Sequence, residues 1–432
     1  MTAILGINAY HGDSSACLVQ NGELVAAVEE ERFRRIKHWA GFPSEAIRYC
    51  LEEARVTLAD VDAVAINQDS RANFWKKVGF TLTKRPGLGL IMDRLKNKRE
   101  RESIDKLLAG LFPDASFKGK VYPVEHHRAH LSSAFHVSPF EDAVVVSVDG
   151  FGDFSSGAWG IGRGKDIDVD GRVYFPHSLG IFYQALTQYL GFPHYGDEYK
   201  VMGLAPYGEP KYLNEMREIV RLQNDGGYRL SLDYFRHHKE KVAYEWENGA
   251  PVFGSLFSDK LAELLGPVRA KEEKLTQKHK DMARSVQAMY EEAFFHLLNK
   301  MYEKYGVDAV TLSGGCAMNS VANGKVTRKT PFKQVYIQSA AGDAGGAIGA
   351  AFSVWNDLCF GNPSPQPSPL GGEREKDSGF SLVRESKNDH YLYGGNKTGR
   401  FVMDHAYWGP AFSNDAIAEV LAEKGGELQK QG

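Results

Sequence analysis

Two similar α/β lobes facing a cleft are the fold that this chain predicts. Three observations carry that expectation. A pattern of strand, tight turn, strand, turn, strand occurs twice. Each copy is continued by helices and further strands. The chain is 432 residues long, beyond the roughly 250–300 at which a single core stops growing.

The first copy runs from Ile4 to Asn8, through the small-residue turn His11-Gly12-Asp13-Ser14-Ser15 into a strand ending near Val19, then from Gly22 to Val28. The second runs from Val144 to Asp149, through Gly150-Phe151-Gly152-Asp153-Phe154-Ser155-Ser156 to Gly162, then along a strand at Gly171 to Phe175. Asn21-Gly22 and Asp170-Gly171 read as hairpin turns in equivalent places. A helix is expected from Leu179 to Leu190. Another, from Glu273 to Tyr305, carries Met282, Val286, Met289, Ala293, Leu297 and Met301 at three- to four-residue spacing, which gives one buried face. Ala309 to Leu312 is a strand that leads through Ser313-Gly314-Gly315 into a helix, where a ligand can approach backbone closely. Val335 to Ile337 is another strand, and Gly342-Asp343-Ala344-Gly345-Gly346 opens a helix to about Trp355. The expected divisions are 1–142 for the first lobe and 143–358 for the second. A Pro/Ser-rich flexible segment fills 359–398, and 399–432 begins a further domain that is mostly absent, ending in an amphipathic helix from Ser413 to Gly426.

Composition narrows the class. Hydrophobic residues make up 43% and charged residues 25%, with a formal net charge of −3, ordinary for a globular enzyme and without the global field that nucleic acid or an anionic membrane would call for. No apolar run approaches a membrane span, and the opening Met1 to Ile7 reads as a strand, too short for a secretory signal. Cys17, Cys50, Cys316 and Cys359 lie far apart without ligand spacing and read as buried, reduced thiols of a cytoplasmic protein. The basic residues from Lys76 to Arg101 read as a solvated surface around the turn Pro86-Gly87 or, alternatively, as a wall for an anionic substrate.

The most informative segment is Val124-Glu125-His126-His127-Arg128-Ala129-His130. His126 and His130 are four residues apart, so a helix projects both imidazoles from one face. That spacing suits a divalent metal, which still needs carboxylates. Asp149, at the end of an apolar strand, and Asp343, in its Gly-rich turn, are the natural donors. Two His and two Asp leave room for substrate oxygens such as those of a phosphate. Facing turns of Gly, Ser and Asp expose backbone N–H groups that hold phosphates between the lobes.

The chain resembles the O-carbamoyltransferases of antibiotic and nodulation-factor biosynthesis. Their main domain is similar to the metal-dependent ATP-binding proteins of tRNA threonylcarbamoyl modification. The matching segments are His11 to Ala16, Glu29-Glu30-Glu31-Arg32-Phe33, His126 to His130, Asp149-Gly150, Gly196 to Gly208, Ser313 to Asn319 and Gly342 to Gly345, in order; Met403 to Pro410 also looks like the family's inter-domain segment. The resemblance implies a duplicated actin/Hsp70/sugar-kinase-like (ribonuclease H-like) fold around a nucleotide cleft. It implies an iron-type divalent metal on His126, His130, Asp149 and Asp343, and ATP or carbamoyl-adenylate as the nucleotide. It further implies transfer of a carbamoyl group, activated from carbamoyl phosphate and ATP in a separate C-terminal adenylate-forming domain, to a hydroxyl of a small, sugar-like acceptor. No nucleic acid or membrane partner is implied, and a homodimer is compatible. The chain ends about where the adenylate-forming domain should begin, and the loop Pro363 to Pro369 is unlike the family.

Carbamoyl transfer needs a deprotonated hydroxyl, a polarised carbonyl and a stabilised AMP leaving group. His11 is a candidate general base or substrate holder, unless it bonds its own turn. Lys37 either contacts the carbamoyl or phosphate group or is a surface charge. Asp149, Gly150, Gly314, Gly315, Asn319 and Asp343 form the nucleotide-binding set, with Asn319 reading ribose or base or else starting a helix. Asp233 either binds a polar acceptor or is a turn residue. Asp197, Glu198 and Lys200 order the loop over the cleft. Two other readings compete: a sugar-kinase-like phosphotransferase, which would not need the helical His pair, and a non-catalytic nucleotide-binding fragment.

Overall fold

A computed structural model describes residues 2–84, 103–240, 244–247, 250–360 and 400–428. The first lobe contains β1 (Ala3–Asn8), β2 (Ser15–Gln20), β3 (Glu23–Glu29), α1 (Glu31–Arg34), α2 (Ser44–Glu53), β4 (Ala63–Ile66), α3 (Phe74–Lys84), α4 (Ile104–Leu111), β5 (Lys120–Pro123) and α5 (His126–Phe135). The second opens with β6 (Asp142–Gly152), β7 (Ser155–Arg163), β8 (Asp166–Tyr174), α6 (Leu179–Tyr189), α7 (Glu198–Leu204) and α8 (Leu213–Ile219). It continues through β9 (Val220–Leu222), β10 (Tyr228–Leu230), β11 (Tyr244–Glu247), β12 (Ala250–Phe253), α9 (Asp259–Leu265) and α10 (Gln277–Tyr305). Then come β13 (Ala309–Ser313), α11 (Ser320–Asn323), α12 (Val326–Lys329), β14 (Gln334–Ile337) and α13 (Gly345–Phe360), with α14 (Asn414–Leu428) near the end.

The two main sheets have one topology. The first is ordered β3-β2-β1-β4-β5 and the second β8-β7-β6-β13-β14. In each, three antiparallel strands are extended by two parallel ones. These are the two similar α/β lobes expected from the repeat, and they agree with the duplicated actin/Hsp70/sugar-kinase-like fold that the resemblance implies. Asn21-Gly22 makes the first hairpin, with φ of 51° and 87°. Its supposed counterpart does not: Asp170-Gly171 lies inside β8 at a register shift opposite Trp159 and Gly160. The hairpin falls at Gly164, φ 55°. The reason is steric, because a Cβ at Gly171 would lie 2.0 Å from the Trp159 ring nitrogen. The glycine makes room for an indole rather than a turn.

Each lobe lends a helix to the other. One side of α5 packs Leu131 and Phe135 against Val145, Ala158 and Ile167 of the second sheet. Its Ala129 joins Ala347, Ile348 and Ala351 of α13 against Ile4, Cys17 and Ala65 of the first sheet. The two helices touch backbone to backbone: a Cβ at Gly349 would lie 1.8 Å from the carbonyl oxygen of Ala129. The packing boundary between lobes therefore differs from the boundary in the chain.

Segment 400–410 straps this junction. The Arg400 guanidinium donates to the carbonyls of Phe135, Phe140 and Gly164, and the Met403 N–H donates to Val137 O at 2.9 Å. The following helix α14 is exposed along Asn414 to Lys424. Cys17 and Cys50 are buried, but Cys359 is exposed at the end of α13, contrary to expectation; all four thiols are free. Of the proposed flexible segment 359–398, residues 359 and 360 end α13 instead, and the remainder, with much of the basic stretch, falls outside the described residues. Among the described residues, no helix is long and apolar enough to cross a membrane.

The helix contact yields a stability test. Gly349→Ala must separate two backbones and should lower unfolding stability by about 1–3 kcal/mol, the usual cost of overpacking. Urea unfolding would measure it, and an unchanged midpoint would contradict the contact.

Candidate metal centre

The start of α5 is fixed from both lobes. The first N–H groups of a helix have no partner within it and need acceptors. Glu125, the N-cap, accepts from the N–H of Arg128 at 2.8 Å. Asp153, from the β6–β7 turn of the other lobe, accepts from the N–H of His126 at 3.0 Å and from that of Asp69 at 2.8 Å. Glu125 also pairs with Arg172 at 2.9 Å. Both carboxylates lie at the positive end of the helix dipole, where negative charge is favoured. Burial nonetheless raises the pKa of Asp153, while that of Glu125 is lowered because nearby His127 and Arg172 outweigh its burial.

His126 and His130, one turn apart, then project together as predicted. Their Nε2 atoms lie 3.0 Å apart. Asp149 Oδ2 is 3.1 Å from His126 Nε2 and 3.5 Å from His130 Nε2. Asp343 Oδ1 lies 3.6 and 3.4 Å from the same two atoms. Asp149 reaches the site because the β6–β7 pairing breaks after Val148 and resumes at Gly152. Asp343 reaches it from the turn just before α13. His127 points elsewhere, its Nδ1 3.0 Å from Ser147 Oγ, and burial pushes its pKa down to about 3.

Ligand atoms of the four residues lie within 4.8 Å of one another. The residues present fit a divalent transition-metal ion: two imidazole nitrogens and two carboxylate oxygens converge, a donor set of intermediate softness. The electrostatics point the same way. Burial would lower the pKa of His130, yet its hydrogen bonds to Asp149 and Asp343 raise it to about 9. His126 is raised against burial and the neighbouring imidazole by Asp149 and Asp343. Asp149 is held well below the usual range because hydrogen bonds from both imidazoles outweigh burial, whereas Asp343 is raised by burial and by the charge of Asp149. The pocket favours positive charge between its carboxylates, which a bound cation supplies without those protons.

Tight turns frame the centre. A Cβ at Gly152 would lie 2.0 Å from the His126 ring, and one at Gly314, where φ is 84°, would lie 2.3 Å from Val148 O. The N–H of Gly315 donates to Asp149 Oδ1 at 2.8 Å, leaving Oδ2 toward the histidines. A Cβ at Gly150 would meet nothing within 4 Å, so that residue borders open space. Asn319 accepts from the N–H of Ala322 at 3.0 Å, capping α11, and exchanges amide hydrogen bonds with buried Gln287. Its geometry is that of a helix start.

The remaining candidates separate. The rings of His11 and His126 meet edge to face, 5.4 Å between centroids. Lys37 is exposed and makes no hydrogen bond or ion pair among the described residues. Its neighbour His38 is the one drawn inward, with Nδ1 2.7 Å from Asp13 Oδ1. Asp233 lies on the surface, paired with Lys260 at 2.9 Å, both side chains largely exposed, and no contact joins it to the metal cluster. In the loop over the cleft Asp197 bonds the His194 N–H and Lys200, and burial pushes Glu198 up to about 6. Sequence reasoning missed Asp153, Glu125 and His38. Asp153 could have been found as the repeat counterpart of Asp13, and His38 by its place beside Lys37.

The family described as Carbamoyltransferase N-terminus matches residues 3–352. The uncharacterized protein sll1178 of Synechocystis is 40% identical over 431 residues, covering 98% of this chain and 63% of that protein. Nodulation protein NolNO of Sinorhizobium fredii is 33% identical over 433 residues, covering 98% of this chain and 52% of that protein. The chain thus spans between about half and two thirds of the length of these relatives. Among solved structures, T. kodakarensis HypF is similar with a TM-score of 0.39 at 15% identity, covering 81% of this chain and 46% of that one.

Two outcomes test the centre. After loading with ferrous iron and desalting, the protein should retain about one equivalent by elemental analysis, and His130→Ala should retain none. Gly152→Ala should fold but release its metal more readily, because the added methyl displaces the His126 ring; equal retention would contradict the contact.

Proposed function

The chain belongs to the carbamoyltransferase family through its N-terminal domain, and on that premise we propose that it transfers a carbamoyl group from carbamoyl-adenylate to a hydroxyl of a sugar-like small molecule. The observation that carries this reading is the convergence of His126, His130, Asp149 and Asp343 at one point between the lobes. A nucleotide held between facing turns would present its carbamoyl phosphate anhydride there.

A divalent metal, iron in this reading, would be held by those four residues and would supply Lewis-acid polarisation and charge neutralisation. The protein's own residues do the rest. The N–H of Gly315 holds Asp149 by Oδ1 and so keeps Oδ2 beside the two imidazoles. Gly150 borders the space where a phosphate can lie along bare backbone. His11, edge-on to His126, lines the site on the first-lobe side and holds the acceptor or the carbamoyl group. This reading gives no role to Lys37, exposed and without a partner among the described residues, or to Asp233, paired with Lys260 at the surface. The acceptor hydroxyl loses its proton to a base of the site or to water as its oxygen bonds to the carbamoyl carbon, the bond from that carbon to the adenylate oxygen breaks, and AMP leaves with the electron pair.

The test supplies carbamoyl-adenylate to the metal-loaded protein with a panel of mono- and oligosaccharides. Product gaining one carbamoyl mass, with equal release of AMP, is expected, and His126→Ala should lower it at least about 100-fold, the scale on which loss of one electrostatic stabiliser acts. Transfer of labelled γ-phosphate from ATP to the same acceptors would instead establish a phosphotransferase. Neither reaction would mean a nucleotide-binding fragment without its own chemistry.

A further inference from the structure

A cavity of about 200 Å³ lies on the second lobe, with Trp159, Arg172, Tyr174, His177, Asp225 and Arg229 in its lining. The transfer step just described makes no use of it. We infer that it holds one neutral pyranose ring of the acceptor, a ring other than the one whose hydroxyl reacts. The inference rests on the transferase reading, but ring binding is measured without turnover.

Size and lining carry it. Clefts for drug-sized ligands measure roughly 300–1,000 Å³, so this smaller cavity suits a single sugar-sized ring. Its lining includes an apolar part: Trp159 is 5% exposed and Val173 6%. Glycines flank the indole on two strands. A Cβ on Gly171 would lie 2.0 Å from its Nε1, and one on Gly227 3.6 Å from its Cη2. Two missing side chains therefore make the space that the indole fills. A pyranose has apolar C–H faces and an edge of hydroxyls that both donate and accept, so it needs aromatic surface with a few placed polar groups. Those groups are present. His177 Nδ1 accepts from the N–H of Leu230 at 3.2 Å, which puts the ring proton on Nε2. Asp225 Oδ1 accepts from the N–H of Gly227 at 2.9 Å, which leaves Oδ2 as an acceptor. The Arg229 guanidinium, on exposed β10 residue 229, has no partner among the described residues.

Position ties the cavity to the candidate metal centre. Arg172 pairs with Glu125 at 2.9 Å, and His126 follows Glu125 directly. Ser178 follows His177, and its Oγ donates to Asp149 O at 2.9 Å. Each of these lining residues is thus linked to the centre through one intervening residue. The first lobe borders the cavity as well. Lys76 Nζ of α3 lies 4.9 Å from the centre of the Tyr174 ring. Phe80 of the same helix meets Phe175, also in the lining, at 5.1 Å between centroids. An acceptor of two or more rings seats one ring here and offers a hydroxyl of another to the centre.

Charge selects the class of ring. The charge of Arg172 is answered by Glu125, and Asp225 stands in the same lining as Arg229. Positive and negative groups balance, so the cavity has no net charge with which to prefer a phosphate, a carboxylate or an ammonium group. That complementarity favours a neutral ring.

The experiment titrates the metal-loaded protein by calorimetry. Its probes are glucose, N-acetylglucosamine and galacturonic acid, each alone and as its linear trisaccharide. A neutral trisaccharide should bind about tenfold more tightly than its monosaccharide, the scale of one added hydrogen bond to a charged group. The acidic trisaccharide should show no larger gain. Arg229→Ala and Asp225→Asn should each remove most of the gain with metal content unchanged. In turnover with carbamoyl-adenylate, Arg229→Ala should raise KM for the trisaccharide by the same factor at constant kcat, the pattern of lost uniform binding. Carbamoylation of the monosaccharide should not change. The inference is overturned if no neutral trisaccharide gains affinity, if the gain survives both substitutions, or if the acidic trisaccharide gains most. Binding that depends on Arg229 without any carbamoylation would keep the ring site and overturn the transferase reading. Carbamoylation without an Arg229-dependent gain would do the reverse.

Discussion

The backbone contact between α5 and α13 is the constraint on which this molecule turns. Two helices can approach to that distance only where a side chain is missing, and Gly349 against the carbonyl of Ala129 provides the gap. Each helix follows the last parallel strand of its own sheet and packs on the sheet of the other lobe as well. Their N-terminal ends are thereby brought level. One end carries His126 and His130, and the turn before the other carries Asp343. Only Asp149 has to come from a strand, and a local break in the β6–β7 ladder releases it. A four-residue constellation thus follows from one packing decision and one irregularity of pairing.

Burying two carboxylates beside one another is unfavourable unless positive charge accompanies them. The site resolves this asymmetrically. Asp149 accepts from both imidazoles and from the Gly315 N–H, so its charge is well satisfied. Asp343 has no such backbone support among the described residues and stands as the harder group to ionise. Around this centre further carboxylates have mechanical work: Glu125 and Asp153 terminate α5, and Glu30, buried completely, accepts from the N–H groups of Glu45 and Ala46 at the head of α2.

Much of this was legible in the chain. The doubled meander revealed the duplicated lobes because turn chemistry and apolar alternation repeat together. The four metal-ligand candidates were legible because helical spacing puts His126 and His130 on one face, and Gly-rich turns mark strand ends where an Asp leaves the ladder. What was not legible depended on contacts distant in sequence. Asp170-Gly171 has the composition of a hairpin turn, but Trp159 on the adjoining strand claims the glycine. Lys37 and His38 are neighbours, and only the contact of His38 with Asp13, distant in sequence, tells the two apart. Asp233 is surrounded by turn residues in either reading, and Lys260, far along the chain, decides that it stays at the surface. The exchange of helices between lobes leaves no local signature at all.

That exchange has a mechanical consequence. Any motion that parts the lobes must leave the α5–α13 pair together, since their backbones are in contact and segment 400–410 is bound across the same junction. The pair is then an axle, and the four clustered side chains of the candidate metal centre sit at its end. Rotation about an axle moves distant points most and the shaft least. The loop from Tyr195 to Lys200, which meets the first lobe at Gly12 and His38, is the rim of that wheel. Points at the mouth of the cleft are then free to move far while the spacing of His126, His130, Asp149 and Asp343 at the hub keeps its dimensions.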